Sequence, residues 1–83
     1  MVAIYVKEKQ ESTLKQRVAT LASMLISGAK NTETTITYDH LLIDRRGGDY
    51  YQKIVIKSPH MLQFLEPFRS SLVQGRGIEV EWL

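Results

Sequence analysis

Thr35-Ile-Thr-Tyr-Asp-His-Leu-Leu-Ile-Asp44, then Arg45-Arg46-Gly47-Gly48, then Asp49-Tyr-Tyr-Gln-Lys-Ile-Val-Ile-Lys57: this stretch decides how the chain folds. Two β-prone runs flank a turn. The Gly47-Gly48 pair tolerates positive φ at both positions, as a tight hairpin requires. In the first run Ile36, Tyr38, His40 and Leu42 share one parity, while Leu41 and Ile43 take the other. Both faces are therefore apolar near the turn, and a bulge would reconcile them. In the second run Ile54 and Ile56 share a face, with Tyr51, Lys53, Val55 and Lys57 on the opposite one.

The hairpin is flanked by two units of like pattern. Upstream, Val2 to Lys7 is β-branched and aromatic and predicts a strand. Ser12 is a plausible N-cap for a helix, which could also begin a turn earlier. Leu14, Val18, Leu21, Ala22, Leu25 and Ala29 recur at helical spacing and form one apolar stripe, with Gly28 near its end. Met24 and Ile26 fall at the edge of that stripe. Residues 29–33 read as a polar loop.

Downstream, Ser58-Pro59 predicts a helix start, because proline in the first turn needs no amide hydrogen. Met61, Leu62, Leu65, Phe68, Leu72 and Val73 supply its inward stripe. Pro67 removes a backbone bond and crowds the preceding turn, which predicts a break near Glu66. Gly75 and Gly77 end the helix, and Gly77 to Leu83 alternates as a last strand.

The expected order is strand, helix, strand, strand, helix, strand within one domain spanning residues 1–83. That is the ferredoxin-like βαββαβ arrangement of the α+β class. Right-handed crossovers then place the first and third strands at the centre of a four-stranded antiparallel sheet, with both helices on one face.

Composition limits the chemistry. Eighty-three residues bury only about 60% of their unfolded surface, so a stability of roughly 4–12 kcal/mol is expected. The absence of cysteine removes disulfides, thiolate catalysis and zinc–thiolate sites together. Eleven Lys and Arg against nine Asp and Glu leave a net charge of +2, too balanced for a histone-like polycation. No apolar run approaches the ~20 residues that cross a bilayer, and the apolar-then-charged start reverses the order of a secretory signal. The expectation is a soluble cytoplasmic protein with no leader and no membrane partner.

The histidines are His40 and His60. Asp39 adjoins His40, but strand neighbours face opposite ways and form no dyad. A histidine in a strand is more often structural than catalytic, and His60 falls in a first helical turn, where an imidazolium opposes the helix dipole. Two separated histidines without cysteine predict no dedicated metal site, and no cofactor is expected. Arg45-Arg46-Gly47-Gly48 lacks the spacing and the lysine of a nucleotide loop. It reads as a turn carrying two solvated arginines. An enzyme is accordingly the third-ranked reading.

The face of the sheet away from the helices is more informative. It is expected to show Ala3, Tyr5 and Lys7 from the first strand. The third strand adds Tyr51, Lys53, Val55 and Lys57, and the last adds Glu79 and Glu81. The second strand adds Thr37, Asp39, Leu41 and Ile43 if its register is regular. Aromatics among lysines on a flat sheet make a platform on which bases stack. Ile4-Tyr5-Val6-Lys7 resembles the start of the first-strand signature of the RNA-recognition-motif family, with Tyr5 at the stacking position. Tyr51 matches the first aromatic of that family's third-strand signature. Glu8, Lys9, Tyr50 and Lys53 depart from the pattern, and Glu79 and Glu81 place carboxylates beside the implied phosphate track.

The same face also suits another protein chain, in particular a second copy. The expected function is a small non-catalytic binding or regulatory module that works through protein contact or self-association, by its open face or an edge strand. RNA or other single-stranded nucleic acid is the alternative partner. The candidate interaction residues are Tyr5, Lys7, Tyr51, Lys53, Lys57, Arg45, Arg46, Leu41 and Ile43. The doubly apolar end from Leu41 to Ile43, beside the arginine tip, is the first place expected to meet a partner.

Overall fold

The computed structural model describes residues 1–39, 43–74 and 76–83, with Val73 and Gln74 described by backbone alone. The expectations on His40, Leu41, Leu42 and Gly75 lie outside the described residues. Strand β1 (Val2–Glu8) leads into helix α1 (Glu11–Gly28), then short strands β2 (Thr35–Thr37) and β3 (Asp44–Arg46), then β4 (Asp49–Lys57). A helical segment follows as α2 (Met61–Leu65), a 3-10 turn (Glu66–Phe68) and α3 (Arg69–Gln74), and β5 (Ile78–Trp82) ends the order. The protein is an α+β domain built on a five-stranded antiparallel sheet in the order β2-β4-β1-β5, with β3 also paired to β4.

Five strands rather than four is a correction with a physical cause. The bulge expected between Leu41 and Ile43 falls mostly outside the described residues, but the first arm of the hairpin forms two strands. It pairs with β4 at Thr35–Thr37, leaves the ladder, and rejoins at Asp44–Arg46. Tyr38 and Ile43, at the two ends of the gap, are half-buried and both pack against the core. Opposite the gap stands Gln52, only 3% exposed, whose Nε2 donates to the Asp39 carbonyl at 2.8 Å. A side-chain bond thus ties down the segment where the strand pairing lapses. The hairpin turn itself is as expected: Gly47 and Gly48 both have positive φ, 57° and 88°, joining Arg46 to its ladder partner Asp49.

The register divides the sheet into two faces. Val2, Ile4 and Val6 of β1 lie opposite Ile56, Ile54 and Gln52 of β4 and point to the helices. They pack with Leu14, Val18, Leu21, Ala22 and Leu25 of α1 and with Phe64, Leu65 and Leu72 of the second helical segment. The stripe read from the α1 spacing is therefore the buried one. Each large aliphatic side chain taken from water here contributes about 1.5–3 kcal/mol.

Two helix boundaries move. Gln10, not Ser12, precedes α1, and its carbonyl accepts the Leu14 N–H at 3.0 Å. The second helix begins at Met61, because Ser58-Pro59-His60 forms a turn first. There Ser58 Oγ accepts the His60 N–H at 3.3 Å and the Thr34 hydroxyl at 2.8 Å. The break at Pro67 occurs as a 3-10 turn, which places Phe68 against Phe64 with ring centroids 5.6 Å apart.

A cationic staple closes one end of the sheet. Arg17, from the polar side of α1, pairs with Glu8 and donates to the carbonyls of Lys7 and Arg76. It joins α1, the end of β1 and the turn into β5. In that turn Gly77 has φ 71°, and its carbonyl accepts the Lys7 N–H at 2.8 Å.

Candidate functional site on the open sheet face

Odd-numbered residues of the central strands point away from the helices, and the register sets them in rows. One row runs Lys53, Tyr5, Glu79 across β4, β1 and β5. The next runs Thr37, Val55, Ala3, Glu81. Towards the hairpin tip, Asp44, Tyr51 and Lys7 are aligned. Lys57, opposite Thr35, lies at the far end of β4. The face is thus basic along β4, aromatic and small along β1, and acidic along β5.

Tyr5 and Tyr51 are not directly opposite one another. Tyr5 faces Lys53 and Tyr51 faces Lys7, so the two residues are diagonal neighbours, at positions roughly 7–8 Å apart in a regular ladder. Both line one shallow groove of about 330 Å³ with Ile43, Asp44, Arg46 and Lys53. The structure thereby gathers five candidates, Tyr5, Tyr51, Lys53, Arg46 and Ile43, around a single depression. Lys7 and Lys57 share the face outside it. Lys7 borders a separate hollow with Lys9, Asp49 and Arg76.

The arginine tip divides between the faces. Arg46 shares the open side with Tyr51, its guanidinium 5.7 Å from the ring centroid, and its Nε donates to Asp44 Oδ2 at 2.8 Å. Arg45 lies on the helix side, 5.3 Å from the Tyr50 ring. The tip is therefore not a two-arginine clamp, because adjacent strand residues point opposite ways. Cation–π contacts at such exposed sites are worth about 0.5–1 kcal/mol each.

Electrostatics tie β1 to β5. The Glu81 carboxylate faces the Tyr5 hydroxyl as a hydrogen-bond acceptor. That acceptor, with partial burial and the negative charge itself, raises the phenol above its ordinary pKa, while Arg46 works in the opposite direction. Among the described residues Lys53, Lys57 and Glu79 enter no salt bridge.

His60 is exposed and borders a cavity of about 570 Å³ between the end of α1 and the start of α2, with Asn31, Ser58 and Phe64. Among the described residues no three His, Asp or Glu side chains cluster as a metal site would require. Among the described residues no helix is long and apolar enough to cross a membrane.

Three features escaped the sequence reading. Asp44, the last residue of the first run, is the partner of Arg46. Arg17, off the apolar stripe of α1, joins Glu8 and the carbonyls of Lys7 and Arg76. Val80 and Trp82 alternate as buried strand residues do, yet they are 38% and 57% exposed. No sequence pattern reports where helical cover stops across a sheet. Comparison with known proteins finds no family model, no curated protein and no solved structure that matches this chain.

Proposed function

We propose that the protein is a non-catalytic binding module that associates with a second copy of itself through the open face of the sheet. We read β2 and β3 as one interrupted edge strand, which makes the domain ferredoxin-like, with β1 and β4 central. The observation that carries the function is the order of charge across the open face: Lys53 and Lys57 on β4, Ala3 and Tyr5 on β1, Glu79 and Glu81 on β5. A two-fold axis running along β1 lays the basic row of one copy over the acidic row of the other, twice. A self-complementary patch of this kind is what an isologous dimer uses. A domain this small gains stability from association.

Sedimentation velocity over a concentration series tests this. Reversing the basic row (Lys53→Glu with Lys57→Glu) should give a monomer, and so should reversing the acidic row (Glu79→Lys with Glu81→Lys). Mixing the two variants should restore a dimer, because every facing pair is then opposite in charge. A wild-type protein that stays monomeric at the highest concentration, with no partner recovered from its native lysate, refutes the reading.

Single-stranded nucleic acid is the second reading, favoured by the groove that holds Tyr5, Tyr51, Arg46 and Lys53. It ranks lower because Arg46 already lies against Tyr51 and Glu81 sets a carboxylate beside Tyr5. A labelled oligonucleotide library should then bind with salt-dependent affinity. Unchanged binding in Tyr5→Ala with Tyr51→Ala would remove this model.

A further inference from the structure

Strand β5 is an edge of the sheet, paired to β1 and to no other strand among the described residues. Its backbone bonds define what that edge offers. The Lys7 N–H reaches the Gly77 carbonyl at 2.8 Å, and the Leu83 N–H reaches the Met1 carbonyl at 3.0 Å. In an antiparallel ladder the bonded positions alternate. Odd-numbered residues of β5 therefore bond inward to β1, and the N–H and C=O groups of Ile78, Val80 and Trp82 point outward.

The side chains around these groups are also arranged by parity. On the helix side of the edge stand Ile78, Val80 and Trp82, the last two well exposed. Ile78 also borders a groove of about 310 Å³ with Leu21 and Met24 of α1. On the open side stand Glu79 and Glu81, and neither enters a salt bridge among the described residues.

This pattern discriminates between occupants. A second β5, paired antiparallel about Val80, would set Glu79 against the partner's Glu81 twice, and like charges directly opposite destabilise a ladder. The edge therefore disfavours its own copy in the register of fullest overlap. It matches a strand that offers cations where β5 offers Glu79 and Glu81, and apolar groups where β5 offers Ile78, Val80 and Trp82.

We infer that β5 is a docking edge for an extended protein segment of alternating basic and apolar residues, which adds a strand to the sheet. Backbone bonds to Ile78, Val80 and Trp82 supply the affinity, and the two glutamates set register and choice. Glu79 and Glu81 border both this edge and the dimer face, but the outward backbone groups of the edge belong to the edge alone. Val80 points to the helix side and its N–H is not used by β1.

Fluorescence anisotropy with two labelled heptapeptides tests it, one alternating Lys and Val, the other alternating Glu and Val. The Lys peptide should bind wild type at least about ten-fold more tightly than the Glu peptide, from two opposite-charge cross-strand pairs. Glu79→Lys with Glu81→Lys should invert that preference. Val80→Pro should abolish binding, since proline fits an edge strand with its nitrogen outward but removes the donor. It should leave the wild-type sedimentation profile unchanged, which separates this proposal from the dimer reading.

If Val80→Pro fails to fold, hydrogen exchange of the wild-type amides decides. Added Lys peptide should slow exchange at Ile78, Val80 and Trp82. Failure of both peptides to bind overturns the inference, leaving Glu79 and Glu81 as charges that guard the edge. Binding that follows the charge swap but leaves those amides unprotected overturns it equally, because the contact is then with the open face.

Discussion

Gly77→Ala tests the joint that holds β5 to the rest of the sheet. Gly77 has φ 71°, and a Cβ added there would lie 2.6 Å from the Lys7 carbonyl oxygen. Left-handed backbone costs an L-residue about 1–2 kcal/mol. The clashing atom belongs to backbone and cannot swing aside. Relief would stretch the Lys7 N–H bond to the Gly77 carbonyl, at about 0.5–1.5 kcal/mol. Arg17 Nη1, 3.6 Å from the same Cβ, would be in ordinary van der Waals contact and adds no cost. Alanine's stiffer unfolded chain returns about 0.4–1 kcal/mol. The net loss is about 2 kcal/mol, or roughly 8–16 °C of melting temperature in a domain of this size.

Gly47→Ala is the internal control. Its φ is 57°, yet no atom lies within 4 Å of the added Cβ. It should carry the backbone term alone, about 1 kcal/mol or less. Urea denaturation of both variants and wild type measures the difference, and equal slopes license the comparison. Equal losses for the two substitutions would refute the claim that contact with the β1 backbone, rather than φ, makes Gly77 necessary.

Further outcomes follow from the same geometry. Arg17→Ala should destabilise by about 1–3 kcal/mol, because a half-buried cation serving Glu8 and two carbonyls is lost. Arg17→Lys should recover only part of this in urea melts, for lack of the planar fork. Gln52→Leu should leave stability within about 1 kcal/mol of wild type, since its Oε1 is buried with no partner among the described residues and Asp39 is an exposed residue. Amide exchange near Asp39 should nevertheless accelerate in that variant. Ultraviolet titration should show Tyr5 ionising above the ordinary tyrosine range, and Glu81→Gln should bring it down. Since the folded-state pKa is raised, the associated stability is present below the unfolded tyrosine value and is lost as pH rises through the folded one.

Much of the fold could be read because the signals were local. The α1 stripe, the Gly47-Gly48 turn, the alternation in β4 and the break at Pro67 each depend on residues a few positions apart. Steric and hydrophobic preferences act at that range, and the structure shows each in place. The candidate site was legible to the same depth. Parity alone placed Tyr5, Lys7, Tyr51, Lys53 and Lys57 on one face.

What parity could not supply was the neighbour. Whether Tyr5 meets Tyr51 or Lys53 depends on register between strands distant in sequence, and one position of slip changes every pair. The interruption between β2 and β3 depends on Tyr38 and Ile43 reaching the core and on Gln52 taking the Asp39 carbonyl. Arg17 became a staple only when β1 and the turn at Gly77 closed around it. The hairpin from Thr35 to Lys57 was thus determined by sequence as a turn with one regular arm. Tertiary packing decided that its other arm would be two short strands, and that β5 would leave Val80 and Trp82 in solvent. Local chemistry sets which residues share a face. Only the assembled layers set which part of that face is covered.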